Sequence, residues 1–310
     1  MLPYLHDSVA ILLGLLFGSF LNVCIVRLPR EESVVSPRSR CQTCLHPVRW
    51  YDNLPVLSWL LLRGRCRNCG ARVSLQYPIV ELGLALWFLL AVHRVAPLFR
   101  PGGPVSLPLD TVLAAGVQTV AFAFLGFLLL GLLVMDWQTH TLPDFFTIGG
   151  IVVAFFLVCC QAIFLGPTDG QIRLSNHHIH LSSPGNVVEH GNLFMTGPEA
   201  LIGGRLLAVA AAVLLLVIIR ALYKAVRGRP GMGIGDVKLL AMIAAFLGFA
   251  PALLALFAGV VSGGLFAAAL LATRRANGQT RIPLGSFLAA GGLLAAAYGE
   301  EILDWYKALL

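Results

Sequence analysis

The apolar residues of this chain form long, nearly unbroken blocks that are separated by short polar stretches. A helix that crosses the bilayer core, which is about 30 Å thick, needs about 20 consecutive apolar residues. Most of the blocks reach that length, and the pattern predicts eight membrane-spanning helices. They cover residues 8–27, 78–97, 111–135, 145–166, 200–222, 237–250, 252–273 and 284–305. The sixth of these is short for a bilayer.

The composition supports the same class of protein. Of 310 residues, 58% are hydrophobic and only 12% are charged, with a mean hydropathy of +0.83. A soluble domain would carry about 25% charged residues. We therefore predict an all-α polytopic membrane protein with about eight transmembrane helices. Its parts are a first transmembrane helix (1–27), a cytoplasmic loop (28–77) and a transmembrane core (78–310).

The basic residues predict which side of the membrane each loop occupies. With the first loop inside, residues 27–72, 220–238 and 274–281 contain seventeen of the 22 basic residues. An excess of Lys and Arg in cytoplasmic loops is the usual bias of membrane proteins. Both termini are then expected outside, and the first span lacks the features of a cleavable signal peptide. The net charge of +7 reflects this topology, and we expect no nucleic-acid partner.

Four cysteines in the first loop form two Cys-x-x-Cys pairs with 21 residues between them. The pairs are Cys41 with Cys44 and Cys66 with Cys69. Such spacing is typical of a closed, structural Zn²⁺ site with four thiolate ligands. The alternative is two redox pairs or unbound thiols, although a reducing cytoplasm disfavours disulfides. We predict a zinc-ribbon-like loop, in which the metal organises the chain and performs no chemistry.

Two aspartates are placed at the cytoplasmic ends of predicted helices, Asp136 after the third span and Asp236 before the sixth. A carboxylate at the edge of a bilayer is costly, so it is by default a functional candidate. Two carboxylates at short range share one proton, and such a pair can activate water against a peptide bond. We therefore interpret Asp136 and Asp236 as the catalytic pair of an aspartyl peptidase. Because Asp136 ends a helix, it meets the unfavourable end of the helix dipole.

The surroundings of Asp236 allow a second interpretation, in which it only caps the sixth helix. Three glycines, Gly231, Gly233 and Gly235, precede it and are expected to let an extended peptide approach closely. We expect Asp236 to favour its charged form, because it starts a helix and lies near Lys238. Asp144 at the start of the fourth span is interpreted as a supporting residue or a cap.

Three polar residues lie within the first two spans. Ser19 and Asn22 are three residues apart and therefore share a helix face, which either bonds to neighbouring helices or lines a groove for substrate. Glu81 opens the second span, where it either pairs with the basic loop or receives positive charges of a substrate. The external loop 167–199 contains four histidines and is interpreted as a polar insertion, with a metal site as the alternative. The histidines are His177, His178, His180 and His190.

Several stretches, taken together in their order and spacing, resemble the type IV prepilin peptidases, the leader peptidase/N-methyltransferases of pilus and type II secretion systems. The matching stretches are residues 18–23 with 27–29, the two cysteine pairs, 50–59, 62–66, 77–82, 136–144 and 233–240. The resemblance covers nearly the whole chain. It implies a multi-pass protein of the bacterial inner membrane, with Asp136 and Asp236 as the catalytic pair at the cytoplasmic face.

The resemblance also implies the substrates and the second activity. Family members cut a basic leader from prepilins or pseudopilins after a glycine, then methylate the new N-terminal residue with S-adenosylmethionine as methyl donor. The sequence departs from the family pattern at 282–287, where Ile-Pro-Leu-Gly-Ser-Phe replaces an expected Pro-Phe-Gly-Pro, and at Gln42, which replaces a frequent proline. We expect neither departure to touch the aspartates.

The sequence leaves two rival functions open. One is a peptidase without methylation. The other is a proton-coupled transporter in which the aspartates relay protons and the cysteine loop is a docking module. Inverted repeats or broken helices would favour the transporter, and we see no convincing internal repeat.

Overall fold

The computed structural model describes residues 2–95, 109–165, 172–174, 179–181, 198–228, 232–273 and 283–309. Gly231, the basic stretch 274–281 and three of the loop histidines lie outside these ranges, and the side chain of His180 is not described. The described residues form nine α-helices and one short antiparallel hairpin. The helices are α1 (Leu2–Arg27), α2 (Leu57–Leu61), α3 (Gln76–Val95), α4 (Leu109–Thr139), α5 (Asp144–Leu165), α6 (Pro198–Arg227), α7 (Ile234–Leu247), α8 (Phe249–Ala272) and α9 (Leu284–Leu309); the strands are β1 (Ile172–Leu174) and β2 (Ile179–Leu181).

Eight of these helices lie where the eight spans were predicted, and the remaining helix, α2, belongs to the cysteine loop. Six of the eight, α1, α3, α4, α5, α6 and α8, are long and apolar enough to cross a membrane. The other two differ for separate reasons. At 14 residues, α7 is only about 21 Å long, and α9 is rich in glycine and alanine and carries Glu300 and Glu301.

The outward faces of the long helices are strongly apolar. Leu12, Leu16, Phe156, Leu214 and Phe257 are among the large apolar side chains that are more than 45% exposed. A soluble monomer rarely exposes a contiguous apolar surface of this kind. Together with the six spans, this surface defines a multi-pass membrane protein whose helix faces are solvated by lipid.

The short helix α7 lies in the interior of the bundle. Leu239, Leu240, Met242 and Ile243 are fully buried, and α7 contacts α4, α5, α6, α8 and α9. A helix that is apolar on all sides is typically buried in this way. Because other helices surround it, α7 can be short and still place its first turn at one end of the bundle.

Helices α1 and α3 pack antiparallel and very close together through small residues of α1. A Cβ atom at Gly14 would lie 2.5 Å from the Cα of Ala85, and one at Gly18 would lie 2.6 Å from the Cα of Glu81. Glycines four residues apart let the backbones of two membrane helices approach to this distance. The cysteine loop contacts this closely packed α1–α3 pair.

Several polar contacts between helices lie at one end of the bundle, which we call the site end. There the last turns of α1 and α4 meet the first turns of α3 and α9. Asn22 Nδ2 donates to the Tyr77 carbonyl at 3.0 Å, Gln138 Nε2 donates to Gln76 Oε1 at 2.6 Å, and Ser286 contacts Asp136. The predicted functional residues therefore lie at a single end of the molecule.

Replacing Gly18 by alanine should destabilise the fold. The new Cβ would meet backbone of α3, so the helices must separate, and overpacking of this kind costs about 1–3 kcal/mol. Thermal unfolding of the purified protein in detergent would measure the lowered Tm. Gly83→Ala is the matched control, because nothing lies within 4 Å of its Cβ position. Equal Tm values for the two variants would contradict the close α1–α3 packing.

Candidate aspartate site and four-cysteine centre

Asp136 lies in the last turn of α4 and is only 6% exposed. Its Oδ2 accepts a hydrogen bond from the Ser286 backbone N–H at 2.7 Å, in the first turn of α9. The free N–H groups at a helix N-terminus carry partial positive charge and favour an anion. The N-terminus of α9 thus offsets the unfavourable dipole of α4, and the Asp136 carboxylate joins the two helices.

Ser286 was missed by sequence reasoning, and the expectation that the departure at 282–287 would not touch the aspartates was wrong. The Ser286 hydroxyl lies 3.1 Å from Asp136 Oδ2 and 3.0 Å from the Leu133 carbonyl, so its single proton serves one acceptor at a time. The sequence does place Ser286 in the first turn of the last predicted helix, where backbone N–H groups often bind anions. That position could have identified it as a candidate partner of a carboxylate.

Asp236 lies in the first turn of α7 and is 8% exposed. Its Oδ2 accepts a hydrogen bond from the Gly233 backbone N–H at 3.2 Å. The residue is therefore not the N-cap of the helix, although its carboxylate does bond back to the capping residue, as in half of a capping box. The bond to Gly233 engages one oxygen of Asp236, so the carboxylate remains available for proton transfer.

Two features of its surroundings oppose the charged form that we expected for Asp236. Burial, followed by the nearby negative charge of Asp136, raises the pKa of Asp236 to about 6. Lys238 does not offset this effect, because its Nζ pairs with Asp144 Oδ1 at 2.6 Å. This ion pair joins α7 to the start of α5, so Asp144 and Lys238 position the helix that carries Asp236.

Leu142, in the turn between α4 and α5, fills the space between the first turns of α7 and α9. A Cβ atom at Gly235 or at Gly285 would lie 3.0 Å from Leu142 Cδ1, and one at Gly285 would also lie 2.9 Å from Asp136 Oδ2. Leu142 therefore lies beside Gly235 in this structure, and the approach of a peptide to the glycines stays a prediction. A side chain at either position would have to displace Leu142, so glycine favours the close approach of α7 and α9 to Asp136.

These contacts place two buried carboxylates near each other at the site end. Their separation is small enough for the charge of Asp136 to act on Asp236. Two like charges at short range do not both ionise readily, so the pair can hold one proton. Such a pair can remove a proton from water and at the same time donate one to a carbonyl oxygen.

The four loop cysteines form a compact cluster that could hold a metal ion. Their Sγ atoms all lie within 4.8 Å of one another, and those of Cys41 and Cys69 are 3.9 Å apart. A tetrahedral site with metal–sulfur bonds of about 2.3 Å separates its sulfurs by roughly 3.8 Å. The thiols therefore fit a four-thiolate centre with little adjustment.

The two halves of this cluster repeat the same local structure. Backbone bridges join Arg40 to Pro47 and Arg65 to Arg72, each enclosing one cysteine pair. Four residues after the first cysteine of each pair, the chain turns through a positive φ, at Leu45 and at Gly70. In the first half, N–H groups of Cys44 and Thr43 lower the pKa of Cys41 to about 6, and a low pKa favours the thiolate that binds metals.

The loop is fastened to the membrane helices and to itself by polar contacts. Arg27, at the end of α1, donates to the carbonyls of Ser33 and Pro37. Arg67 forms a bidentate ion pair with Asp52, and this contact holds the pKa of Asp52 below its usual range. Glu81 Oε2 accepts from the Val56 backbone N–H at 2.7 Å.

Glu81 thus bonds to the backbone of the cysteine loop. Neither of the two alternatives that the sequence left open named this partner. Asn22 and Glu81 are buried, and with Ser19 they line a cavity of about 870 Å³ between the loop and α1, α3 and α4. The three residues that were predicted as a groove are therefore brought together, on the cysteine side of the site end.

Comparisons with known proteins agree with this combination of parts. Residues 12–95 match the family model described as "Bacterial Peptidase A24 N-terminal domain", and residues 187–268 match "Type IV leader peptidase family". The prepilin leader peptidase/N-methyltransferase of Pseudomonas putida is 31% identical over 322 residues, which are 97% of this chain and 93% of that protein. The proteins of that name from Aeromonas hydrophila and Bacillus subtilis (strain 168) are 30% and 28% identical, over 98% and 96% of this chain and 95% and 97% of their own.

The chain therefore belongs to the prepilin leader peptidase/N-methyltransferase family. No solved structure matches it. The matched relatives give no support to the proton-coupled transporter that the sequence left open.

The cysteine cluster predicts a spectroscopic signature of thiolate binding. Protein reconstituted with Co²⁺ should show sulfur-to-metal charge-transfer absorption, because all four Sγ atoms can reach one ion. Cys66→Ser should weaken this absorption, whereas Cys160→Ser, in α5 and outside the cluster, should leave it unchanged. Charge-transfer bands that survive Cys66→Ser at full intensity would contradict a four-thiolate centre.

Proposed function

We propose that this protein is an aspartyl endopeptidase of the bacterial inner membrane that cuts the leader from prepilins or pseudopilins at the cytoplasmic face. It then N-methylates the new N-terminal residue, with S-adenosylmethionine as methyl donor. The observation that carries the proposal is the pair of buried carboxylates on α4 and α7 at the end of a lipid-facing bundle. The names of the relatives, which include both activities, support it.

In this proposal Asp136 is the ionised member of the pair and Asp236 the protonated one. The hydrogen bonds from the first turn of α9 to Asp136 support its anionic form. The raised pKa of Asp236 supports its neutral form. These roles reverse the expectation from sequence, which made Asp236 the more acidic partner.

The proposed hydrolysis is non-covalent. Asp136 takes a proton from a water molecule while the water oxygen attacks the carbonyl carbon of the scissile bond. Asp236 gives its proton to the carbonyl oxygen, so the tetrahedral intermediate carries no full negative charge. When the carbon–nitrogen bond breaks, the leaving amine takes the proton from Asp136 and the hydroxyl proton returns to Asp236. Both carboxyl groups are then in their starting states.

An aromatic cluster beside the aspartates supports an apolar, membrane-inserted substrate. Trp137 follows Asp136, Phe287 follows Ser286, and both rings contact Phe266 of α8 at centroid distances of 5.6 and 5.3 Å. Trp137 remains 49% exposed. A substrate helix can lie against this surface, with its cleavage segment extended, because a helical peptide bond is protected by its own hydrogen bonds.

For the cysteine centre we propose one Zn²⁺ held by Cys41, Cys44, Cys66 and Cys69. A closed tetrathiolate site leaves no position for substrate, so the ion would stabilise the loop. The loop forms the outer wall of the cavity, and its fastening to α1 and α3 supports a role in shaping that cavity.

Asp136→Asn and Asp236→Asn should each abolish leader cleavage, because each removes one half of the proton transfer. General acid–base catalysis typically contributes 10²–10⁴-fold, so a loss of at least about 100-fold is expected. The assay is cleavage of a purified prepilin, followed by mass spectrometry. Asp304→Asn, an exposed residue paired with Lys307, is the matched control and should cleave normally. Normal processing by either site variant, with the protein folded, would refute the pair.

The pH dependence of cleavage should report both carboxyl groups. As the pH rises through the pKa of Asp236, about 6, its proton is lost and the rate falls. An ordinary aspartate titrates near 3.9, so the descending limb lies well above the usual range. A rate that stays constant as the pH is taken far above 6 would contradict Asp236 as the proton donor.

Ser286→Ala serves as the internal control for the pH profile. The ascending limb of the rate reports the ionisation of Asp136. Loss of the Ser286 hydroxyl removes one hydrogen-bond donor from Asp136, so this limb should move to higher pH. The descending limb, which reports Asp236, should stay in place. If the descending limb moved instead, Asp136 would be the proton donor and Asp236 the base, which is the reverse of the proposal.

A further inference from the structure

Helix α2 of the cysteine loop has its polar side turned inward and its apolar side turned outward. Ser58 is buried on the inner side, where its Oγ accepts from the Leu54 N–H and donates to the Tyr51 carbonyl, both at 3.0 Å. The outer side is apolar and exposed. We call this side the leucine face, and its residues, which are 58%, 58% and 80% exposed, are Leu57, Leu60 and Leu61.

The spacing of the three leucines places them together on one side of the helix. Residues three and four positions apart are neighbours on a helix surface, so Leu60 and Leu61 both lie one turn after Leu57. A helix turns such an apolar side toward an apolar partner. Within the described part of the chain the leucine face is left exposed, so its partner has to come from elsewhere.

The loop reaches the level of a membrane span immediately before α2. The Val56 N–H donates to Glu81 Oε2 at 2.7 Å. Glu81 lies five residues after Gln76, where α3 begins, and this is about 7.5 Å along the helix axis. Because α3 is one of the six candidate spans, the backbone at Val56 lies beside the first turns of a span. Helix α2 starts at the next residue, Leu57.

A second contact brings the same segment beside the lipid-facing side of α1. Asn53 and Pro55 line a cleft of about 320 Å³ together with Leu16 and Phe20 of α1. These two α1 side chains are 59% and 45% exposed and belong to the apolar exterior of the bundle. Phe20 precedes Arg27, the last residue of α1, by seven residues, or about 10 Å. The segment that leads into α2 therefore lies next to the surface that lipid solvates.

We propose that α2 is an interfacial anchor that inserts the leucine face into the lipid leaflet at the site end. Interfacial helices lie in the membrane plane, with the apolar side about 5–10 Å deep in the boundary between headgroups and acyl chains. Arg63 follows α2 by two residues, is exposed and forms no ion pair with any described residue. At that boundary its guanidinium group meets lipid phosphates. This placement is independent of the proposed cleavage.

The anchor holds the half of the cysteine centre that follows it. Cys66 comes five residues after the end of α2, and Trp59 of α2 donates from Nε1 to the Val73 carbonyl at 3.2 Å. The second cysteine pair therefore lies between α2 and a segment that is bonded to α2. Lipid contact at the leucine face fixes this part of the loop against the membrane surface.

The test uses a photoreactive amino acid, p-benzoylphenylalanine, placed at Leu61 of the full-length protein. In vesicles of phosphatidylethanolamine and phosphatidylglycerol, illumination should link the probe to lipid, and mass spectrometry detects the adduct. The probe at Leu57, on the same face, should give the same adduct. Arg72 is the matched control position, because it is exposed on the same loop but lines the cavity. Its yield of lipid adduct should be several times lower.

Three results would overturn the proposal. The first is a yield of lipid adduct at Leu61 that is no higher than at Arg72, in protein with the wild-type Tm. The second is a link between two copies of the chain, which would make the leucine face a self-association surface. The third is a link mainly to another protein when the probe is illuminated in bacterial cells, which would make it a protein-docking site. Leader cleavage is measured in parallel, so a failure of the proposed function is seen separately.

Discussion

The structure of the site depends on one contact, the hydrogen bond from the first turn of α9 to the Asp136 carboxylate. A carboxylate at the end of α4 would be unstable there by itself, because it is buried and meets the negative end of its own helix. The N–H of Ser286, at 2.7 Å, supplies the compensating partial charge. The same bond ties α4 to α9, so the geometry of the bundle and the ionisation of Asp136 are linked.

Close packing of small residues makes this contact possible. Leu142 occupies the gap beside Gly235 and Gly285, which brings the starts of α7 and α9 around Asp136. Because α7 is buried on nearly all sides, it holds Asp236 in a medium that penalises charge. On the other side, the close α1–α3 pair supports the cysteine loop and the cavity beneath it. The aspartate pair and the cavity therefore share one end of the bundle.

Features that depend on local pattern could be predicted from the sequence, and features that depend on distant contacts could not. Apolar blocks and the Cys-x-x-Cys pairs are local, and they correctly indicated the helices and the compact thiol cluster. The bond between Ser286 and Asp136 joins residues 150 positions apart, and the pair of Lys238 with Asp144 joins residues 94 apart. No periodicity encodes such partners, so the burial that raises the pKa of Asp236 could not be predicted from the sequence.

In the proposed mechanism Asp236 holds the proton beside an ionised Asp136. Infrared difference spectroscopy of the purified protein, taken across a pH step through about 6, observes protonated carboxyl groups directly. We expect a carboxylic C=O signal that is lost as the pH rises and is missing in Asp236→Asn. A signal that persists unchanged in Asp236→Asn and disappears only in Asp136→Asn would contradict it.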